Sequence, residues 1–171
     1  MDEAKGGFVE VRVSGIMLDP ITNVPIVILR DLKEKNTIPI WIGLVEASSI
    51  AIQLEKIPIS RPLTHDLLKN VLDSLSVGVV RIEVTDLKDN TFYALIHLNV
   101  GDRQLTIDSR PSDAIALALR TESPIFVHEE VIKKSKKVDL KEGTAFTEEN
   151  KEKWAELLEN LSDKEFGKYK M

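Results

Sequence analysis

Apolar and polar residues alternate over the first part of the chain. Residues 8–18, FVEVRVSGIML, alternate valine with polar residues in their first half. This period of two is typical of a strand with one buried face. Shorter apolar runs follow at 24–30 and 37–42. The pattern therefore predicts three opening strands, arranged as a meander.

The spacing of apolar residues then becomes helical. Between Gly43 and Pro58 they recur at i, i+3, i+4 and i+7, which predicts a first helix carrying Ala47, Ile50, Ala51 and Leu54. A second helix is expected from Thr64, which can act as its N-cap, with Asp66 in the first turn. Its apolar face is formed by Leu67, Leu68, Val71, Leu72 and Leu75.

The second half of the chain returns to strands. Alternating stretches predict a second meander with strands at 78–87, 91–100 and 103–108. Ser109 or Ser112 can cap a following helix that runs to Thr121. This helix is apolar nearly all round, which indicates that it is buried. A short apolar run at 124–127 predicts a last strand.

The mixed order of these elements predicts an α+β fold, with a mixed, largely antiparallel sheet, packed helices and a C-terminal amphipathic helix. Near Lys133 the composition changes, because lysines and acidic residues replace most of the apolar ones. We therefore divide the chain into a domain at 1–133 and a segment at 134–171 that holds a charged linker and the C-terminal helix. The apolar stripe of that helix is Trp154, Leu157, Leu158 and Leu161.

The C-terminal stripe also bears on assembly. A helix of this length is not stable alone in water, so the stripe needs a surface on which to pack. Two-fold association is the most frequent way in which soluble chains cover such a surface. The sequence therefore predicts a homodimer, with either this helix or an edge strand at the interface.

Composition excludes several classes of site and location. The chain has 171 residues and no cysteine, which excludes thiol nucleophiles, zinc–thiolate sites and iron–sulfur clusters. Its first residues, MDEAK, do not resemble a signal peptide, and no apolar run approaches the roughly 18 residues of a membrane span. We expect a cytoplasmic protein without a membrane segment. The abundance of Lys and Glu is a weak indication of a thermophilic source.

The charge balance limits how nucleic acid could bind. Lys and Arg number 23 against 28 Asp and Glu, so the formal net charge is −5. Nonspecific binding of a polyanion draws most of its free energy from clustered Lys and Arg. A nucleic-acid function here therefore needs a local basic site or a bridging metal ion.

Two segments combine residues that are capable of chemistry, RPLTHD at 61–66 and DSRPSD at 108–113. Each precedes a predicted helix, whose free N–H groups and positive dipole end favour an anion. Arginine suits two-pronged phosphate contact, carboxylates suit Mg²⁺ or Mn²⁺, and a histidine can act as a general base. The residues concerned are Arg61, Thr64, His65, Asp66, Asp108, Arg110, Ser112 and Asp113.

A structural explanation of the same residues is also open. Thr64, Asp66, Ser112 and Asp113 are suited to capping helices and to compensating their dipoles. The two arginines could simply pair with these carboxylates. Motifs of dinucleotide-binding, P-loop, zincin and α/β-hydrolase proteins do not occur in the sequence.

Four strings, in this order and spacing, resemble the bifunctional nuclease domain family: IPIWIG followed by EA, then RPLTHDLL, TFYALIHL and DSRPSDAIALALR. The resemblance covers about residues 8–131. It implies an α+β domain with nuclease activity toward DNA and RNA. It also implies a site at Glu46, Arg61, Thr64, His65, Asp66, Asp108, Arg110, Ser112 and Asp113.

The leading hypothesis is a phosphodiesterase acting on single-stranded DNA or RNA with Mg²⁺ or Mn²⁺. In it the carboxylates of Glu46, Asp108 and Asp113 hold the cation, which activates water. Phosphate contacts come from Arg61, Thr64, Arg110 and Ser112, and the catalytic groups are His65, Asp66, Asp108 and Asp113. The alternative is a non-catalytic binding or scaffold module in which these residues form salt bridges and helix caps. An open cleft favours the enzyme, and enclosed, paired carboxylates favour the scaffold.

Overall fold

A seven-stranded sheet and four helices form the part of the chain that the computed structural model describes, residues 7–136. The strands are β1 (Phe8–Leu18), β2 (Pro25–Asp31), β3 (Thr37–Trp41), β4 (Val77–Lys88), β5 (Thr91–Val100), β6 (Arg103–Ser109) and β7 (Ile125–His128). The helices are α1 (Leu44–Leu54), α2 (Thr64–Ser74), α3 (Pro111–Thr121) and α4 (Glu129–Ser135). The predicted α+β class is confirmed.

The strand order is β3-β2-β1-β7-β4-β5-β6. Both predicted meanders are present, because β1, β2 and β3 pair antiparallel in sequence and so do β4, β5 and β6. The short strand β7 joins them: it runs antiparallel to β1 and parallel to β4. Its position between the meanders makes the sheet mixed.

Backbone pairing assigns residues to the two faces of the sheet, because directly paired residues point to the same side. Ile125 pairs with Val11 and with Ile82, and Ile82 pairs with Ile96. All four are buried in the main hydrophobic core. Helices α1, α3 and α4 add side chains to the same core: Ala47, Ile50, Ala51, Ala114, Ile115, Leu117, Val131 and Ile132. We call this side the helix-covered face and the other side the opposite face.

A polar group of three side chains lies on the opposite face. Glu83 accepts a hydrogen bond from Arg81 Nε at 2.6 Å, and its Oε2 lies 2.8 Å from His97 Nε2. Burial acts to raise the pKa of Glu83, but the hydrogen bonds with Arg81 and His97 hold it below its usual value. The carboxylate thus stays charged beside its two partners.

Two helix starts differ from the predicted caps. In α2, Leu63 occupies the N-cap position and Thr64 is the first helical residue, while the Leu63 N–H donates to the Asp66 carboxylate at 2.9 Å. In α3 the N-cap is Arg110 rather than either serine. Pro111 explains this start, because proline fits the first helical position and keeps the preceding residue extended.

The apolar face predicted for α2 is largely exposed, since none of the residues of α2 is buried. Leu72 packs against the main core and is only partly buried. The helix contacts α3 and β4. Its spacing indicated an apolar face correctly, but within residues 7–136 only the edge of that face is covered.

Helix α4 was not expected from the sequence. It is short, its N-cap residue His128 accepts a hydrogen bond from the Glu130 N–H, and it buries Val131 and Ile132. It crosses the predicted domain boundary at residue 133. The predicted linker from 137 onward and the C-terminal helix lie outside the described residues. In the described range, every helix is too short or too polar to cross a membrane.

Candidate functional site

Three helices meet at a cluster of polar side chains. Glu46 and Ser49 come from α1, His65 from the first turn of α2, and Arg110 and Asp113 from the start of α3. We call these five residues the helix-junction cluster. The cluster forms where β6 passes directly into α3, so the strand fixes the position of Arg110.

The cluster is one continuous chain of hydrogen bonds. Ser49 Oγ lies 2.8 Å from His65 Nδ1, and His65 Nε2 lies 3.0 Å from Asp113 Oδ1. The Arg110 guanidinium donates from Nε to Asp113 Oδ2 at 2.7 Å and from Nη1 to Glu46 Oε1 at 2.7 Å. A weaker bond of 3.2 Å joins Arg110 Nη2 to Asp113 Oδ1. Asp113 therefore links the imidazole to the guanidinium.

Exposure changes along this chain. The Arg110 side chain is 64% exposed, whereas that of His65 is 13% exposed. Ser49 is buried. The guanidinium is thus far more accessible to a ligand from solvent than the imidazole is.

Charge pairing sets the ionisation of two of these groups. Burial acts to raise the pKa of Asp113, but hydrogen bonds from Arg110 and His65 hold it below its usual value. Hydrogen bonds to Asp113 and Glu46 raise the pKa of Arg110 above its already high value. Asp113 is thus a carboxylate and Arg110 a cation at neutral pH.

Gly43 allows Glu46 to reach Arg110. It occupies the N-cap of α1, and a Cβ atom at this position would overlap the Glu46 carboxylate. Any other residue would therefore displace the Glu46 side chain, which has an outer position in the cluster. The position of the Glu46 side chain thus gives a structural reason for the glycine that ends the IPIWIG string.

Asp66 lies next to His65 but has different partners. Its Oδ1 accepts from Arg120 Nε at 2.6 Å and its Oδ2 accepts from the Leu63 N–H. Arg120 is buried and also donates to the backbone carbonyl of Ser49 at 3.2 Å. Burial acts to raise the pKa of Asp66, and the bonds from Arg120 and Leu63 lower it below its usual value. This pair ties α2 to α3 and α1.

The other predicted site residues take no part in the hydrogen-bond chain of the cluster. Thr64 and Arg61 are exposed near the start of α2, and Ser112 is buried in the first turn of α3. Asp108 pairs with Leu95, one residue beyond Ile107 of the helix-covered face, so its side chain belongs to the opposite face. The structure thus brings together Glu46, His65, Arg110 and Asp113.

Sequence reasoning missed Ser49 and Arg120. Ser49 lies within a predicted helix and has no nearby motif that would single it out. Arg120 carries a usable signal, because it is a charged residue in an otherwise apolar helix and lies two turns from Asp113. A buried arginine requires a carboxylate partner, and Asp66 provides it.

The arrangement does not fit the predicted divalent-cation site. Glu46 and Asp113 are both engaged by the Arg110 guanidinium, and Asp108 belongs to the opposite face. Over residues 7–136 we find no group of three or more His, Asp or Glu side chains placed to hold a metal ion.

Acidification is expected to lower the free energy of unfolding. The pKa values of Asp66 and Asp113 are lower in the folded chain than their ordinary value of 3.8. The unfolded chain therefore binds more protons, and the stability from both carboxylates is present above about pH 4 and lost as the pH falls further. Urea unfolding at a series of pH values between neutral and acidic tests this, and equal stability at both ends would contradict it.

Comparison with known proteins supports a family relationship. A family profile described as the bifunctional nuclease domain matches residues 27–139. An uncharacterized protein of Mycobacterium tuberculosis is 36% identical over 162 residues, which covers 92% of this chain and 97% of that protein.

Two plant proteins carry a functional name. Bifunctional nuclease 2 of Arabidopsis thaliana is 27% identical over 125 residues, covering 65% of this chain and 38% of the plant protein. Bifunctional nuclease 1 of Oryza sativa subsp. japonica is 28% identical over 109 residues, covering 61% and 33%. The profile match includes all five residues of the helix-junction cluster. The chain belongs to the bifunctional nuclease domain family.

Proposed function

We propose that this protein hydrolyses phosphodiester bonds in single-stranded DNA and RNA at the helix-junction cluster. The observation that carries the proposal is the hydrogen-bond chain from Ser49 through His65 and Asp113 to an exposed Arg110. The plant relatives named bifunctional nucleases support the substrate class.

Arg110 is the phosphate-contacting group in this proposal. Its guanidinium is planar, charged and mostly exposed, which suits two-pronged contact with a phosphate. It also stabilises the negative charge that develops on the phosphoryl oxygens during attack by water. Arg61 is exposed and lies four residues before His65 in the sequence, which places a second positive charge near the start of α2.

His65 is the proton-transfer group. In the neutral imidazole one nitrogen donates and the other accepts. The negatively charged Asp113 can only accept, so the hydrogen of the neutral imidazole lies on Nε2, which donates it to Asp113. Nδ1 is then the acceptor, and the Ser49 hydroxyl donates to it. A proton taken from the attacking water reaches Nδ1 by way of the Ser49 hydroxyl, which gives up its own hydrogen and takes that of the water. The water oxygen bonds to phosphorus, the P–O bond to the leaving oxygen breaks, and the departing oxygen takes up the proton that His65 holds, which returns the imidazole to its neutral form.

Asp113 couples the two ends of the cluster. When Arg110 turns to a phosphate, Asp113 loses the partner that neutralises its charge. The uncompensated carboxylate then stabilises the positive charge that the imidazole gains when it takes a proton. Phosphate binding thus prepares proton transfer.

A cleavage assay on the full chain tests the proposal. We expect cleavage of single-stranded DNA and RNA oligonucleotides, and a fall of about 10²–10⁴-fold in turnover for His65→Gln. The matched control is His97→Gln, because His97 Nε2 also hydrogen-bonds a carboxylate, Glu83, but on the opposite face. Reactions with Mg²⁺, with Mn²⁺ and with EDTA test the cation expected from the sequence. Equal loss in both variants, or no cleavage by the unmodified chain, would contradict the assignment.

A non-catalytic binding or scaffold role is the second candidate. The Asp66–Arg120 pair favours it, because this pair is enclosed and joins three helices. Glu46, Arg110 and Asp113 could act in the same way at the surface. In that case substitutions in the cluster lower the unfolding free energy and leave no cleavage activity to lose.

A further inference from the structure

The strand β6 leaves one edge of the sheet open. It has seven residues, no proline, no lysine and no bulge against β5, and within residues 7–136 no strand pairs with its outer side. The other edge strand, β3, has five residues with Pro39 at its centre. Natural proteins protect open edges with proline, charged side chains or bulges; β6 has no proline and no bulge, and its two charged residues, Arg103 and Asp108, lie near its ends.

Two apolar side chains of β6 are exposed beside this edge. Leu105 and Ile107 are each 46% exposed. They pair with the buried residues Leu98 and Ile96, so they continue the helix-covered face beyond the layer of helices. An edge strand with half-exposed apolar side chains needs a covering.

Helix α2 packs against α3 and β4, and its direction is opposite to that of β6. Its start lies next to the end of β6, because His65 contacts Asp113 just after that strand. Its end leads into Val77, which shares a row of the sheet with Val100 and with Arg103 at the start of β6. The exposed apolar residues of α2 are Leu67, Leu68, Val71 and Leu75. Leu105 and Ile107, on the strand itself, form what we call the β6 edge surface.

We propose that a second copy of this chain covers the β6 edge surface, by antiparallel pairing of the two β6 strands about a two-fold axis at Thr106. In this register Leu105 lies opposite Ile107 of the partner subunit, and the reverse, so both apolar pairs fall on the helix-covered face. On the opposite face Gln104 lies opposite Asp108 of the partner subunit, which permits a hydrogen bond without like charges. The strand is thus complementary to itself.

The same axis sets the surroundings of the helix-junction cluster. Ser109, next to Arg110, lies opposite Arg103 of the partner subunit on the helix-covered face. The second copy therefore adds a positive charge beside a cluster in which one arginine faces two carboxylates. The pairing itself does not depend on nuclease activity.

Cysteine cross-linking on the full chain tests the register. The chain has no cysteine of its own. Two Thr106 residues on the axis have Cα atoms about 4.5–5.5 Å apart, within disulfide range. Thr106→Cys is therefore expected to give a disulfide-linked dimer on mild oxidation. Gln104→Cys is the control, because its two copies lie four residues apart along the strands, roughly 13 Å. Equal cross-linking at both positions would overturn the register.

A charge exchange tests the interface without a cross-link. Leu105→Lys or Ile107→Glu alone is expected to weaken the dimer about tenfold or more, since each change occurs twice per interface. The double variant places opposite charges across both pairs and is expected to restore it. Light scattering measures the masses, and circular dichroism checks folding. A monomer for the unmodified chain, or a dimer unaffected by the single changes, would overturn the proposal and leave other surfaces, such as residues 137–171, as the covering.

Discussion

Replacing Asp66 with asparagine is expected to lower the free energy of unfolding by about 3–5 kcal/mol. The reason is Arg120, whose side chain is 2% exposed and whose Nε donates to Asp66 at 2.6 Å. Asparagine leaves the guanidinium charge buried without a compensating charge. Urea unfolding monitored by circular dichroism measures the change.

The control for this prediction is Asp73→Asn. Asp73 also lies on α2 and pairs with a basic residue, Lys69, but its side chain is 56% exposed. An exposed pair of this kind contributes about 0.5 kcal/mol or less. The double variant Asp66→Asn with Arg120→Met has no buried guanidinium charge without a partner, so part of the lost stability should return. An Asp66→Asn chain as stable as the unmodified one would show that Arg120 does not need this partner.

Replacing Asp113 with asparagine is expected to reduce kcat/KM for single-stranded DNA and RNA by about 10²–10⁴-fold. Asp113 contacts both His65 and Arg110. The neutral amide cannot compensate a charged imidazole, and its NH2 group opposes the N–H donors that the carboxylate accepted. The defect should appear in kcat more than in KM, because the phosphate contact of Arg110 remains.

Two further aspartates sharpen this experiment. Asp102→Asn is the matched control, since Asp102 is an exposed residue of the turn before β6. Asp108→Asn is compared with Asp113→Asn, because the sequence analysis gave the two aspartates the same role. The geometry predicts the smaller effect at Asp108. The unfolding free energy is measured in parallel. Loss of stability without loss of cleavage in Asp113→Asn would show that Asp113 holds the helices together and takes no part in the reaction.

Elements with their own local pattern could be predicted from the sequence. The meander strands carry alternation, and α1 and α3 carry helical spacing and well-marked ends. The family resemblance rested on strings that the structure places in β3 and β5, at the starts of α1 and α2, and along α3, and the family is confirmed. The position of β7 had no local signal, because the choice of neighbours for a four-residue strand depends on the whole sheet.

The candidate site was predictable only in part, for a similar reason. Charged residues at helix starts pointed to His65, Arg110 and Asp113. Their division into two sets depends on how the helices pack: His65 joins Asp113, whereas its neighbour Asp66 joins Arg120. Successive residues on a helix point about 100° apart, so one turn of α2 contributes to two different sets of contacts.

The place of β7 in the sheet has a consequence for how the chain folds. Val11 pairs with Ile125, so the contact that completes the sheet joins residues from nearly opposite ends of the domain. Contacts of such high sequence separation form slowly, because a long loop must close first. On the ribosome, both meanders are synthesised before the strand that joins them. Until residue 128 has emerged, each meander exposes an edge on which the next chain on the same messenger RNA could add a strand, so misassembly during synthesis competes with folding.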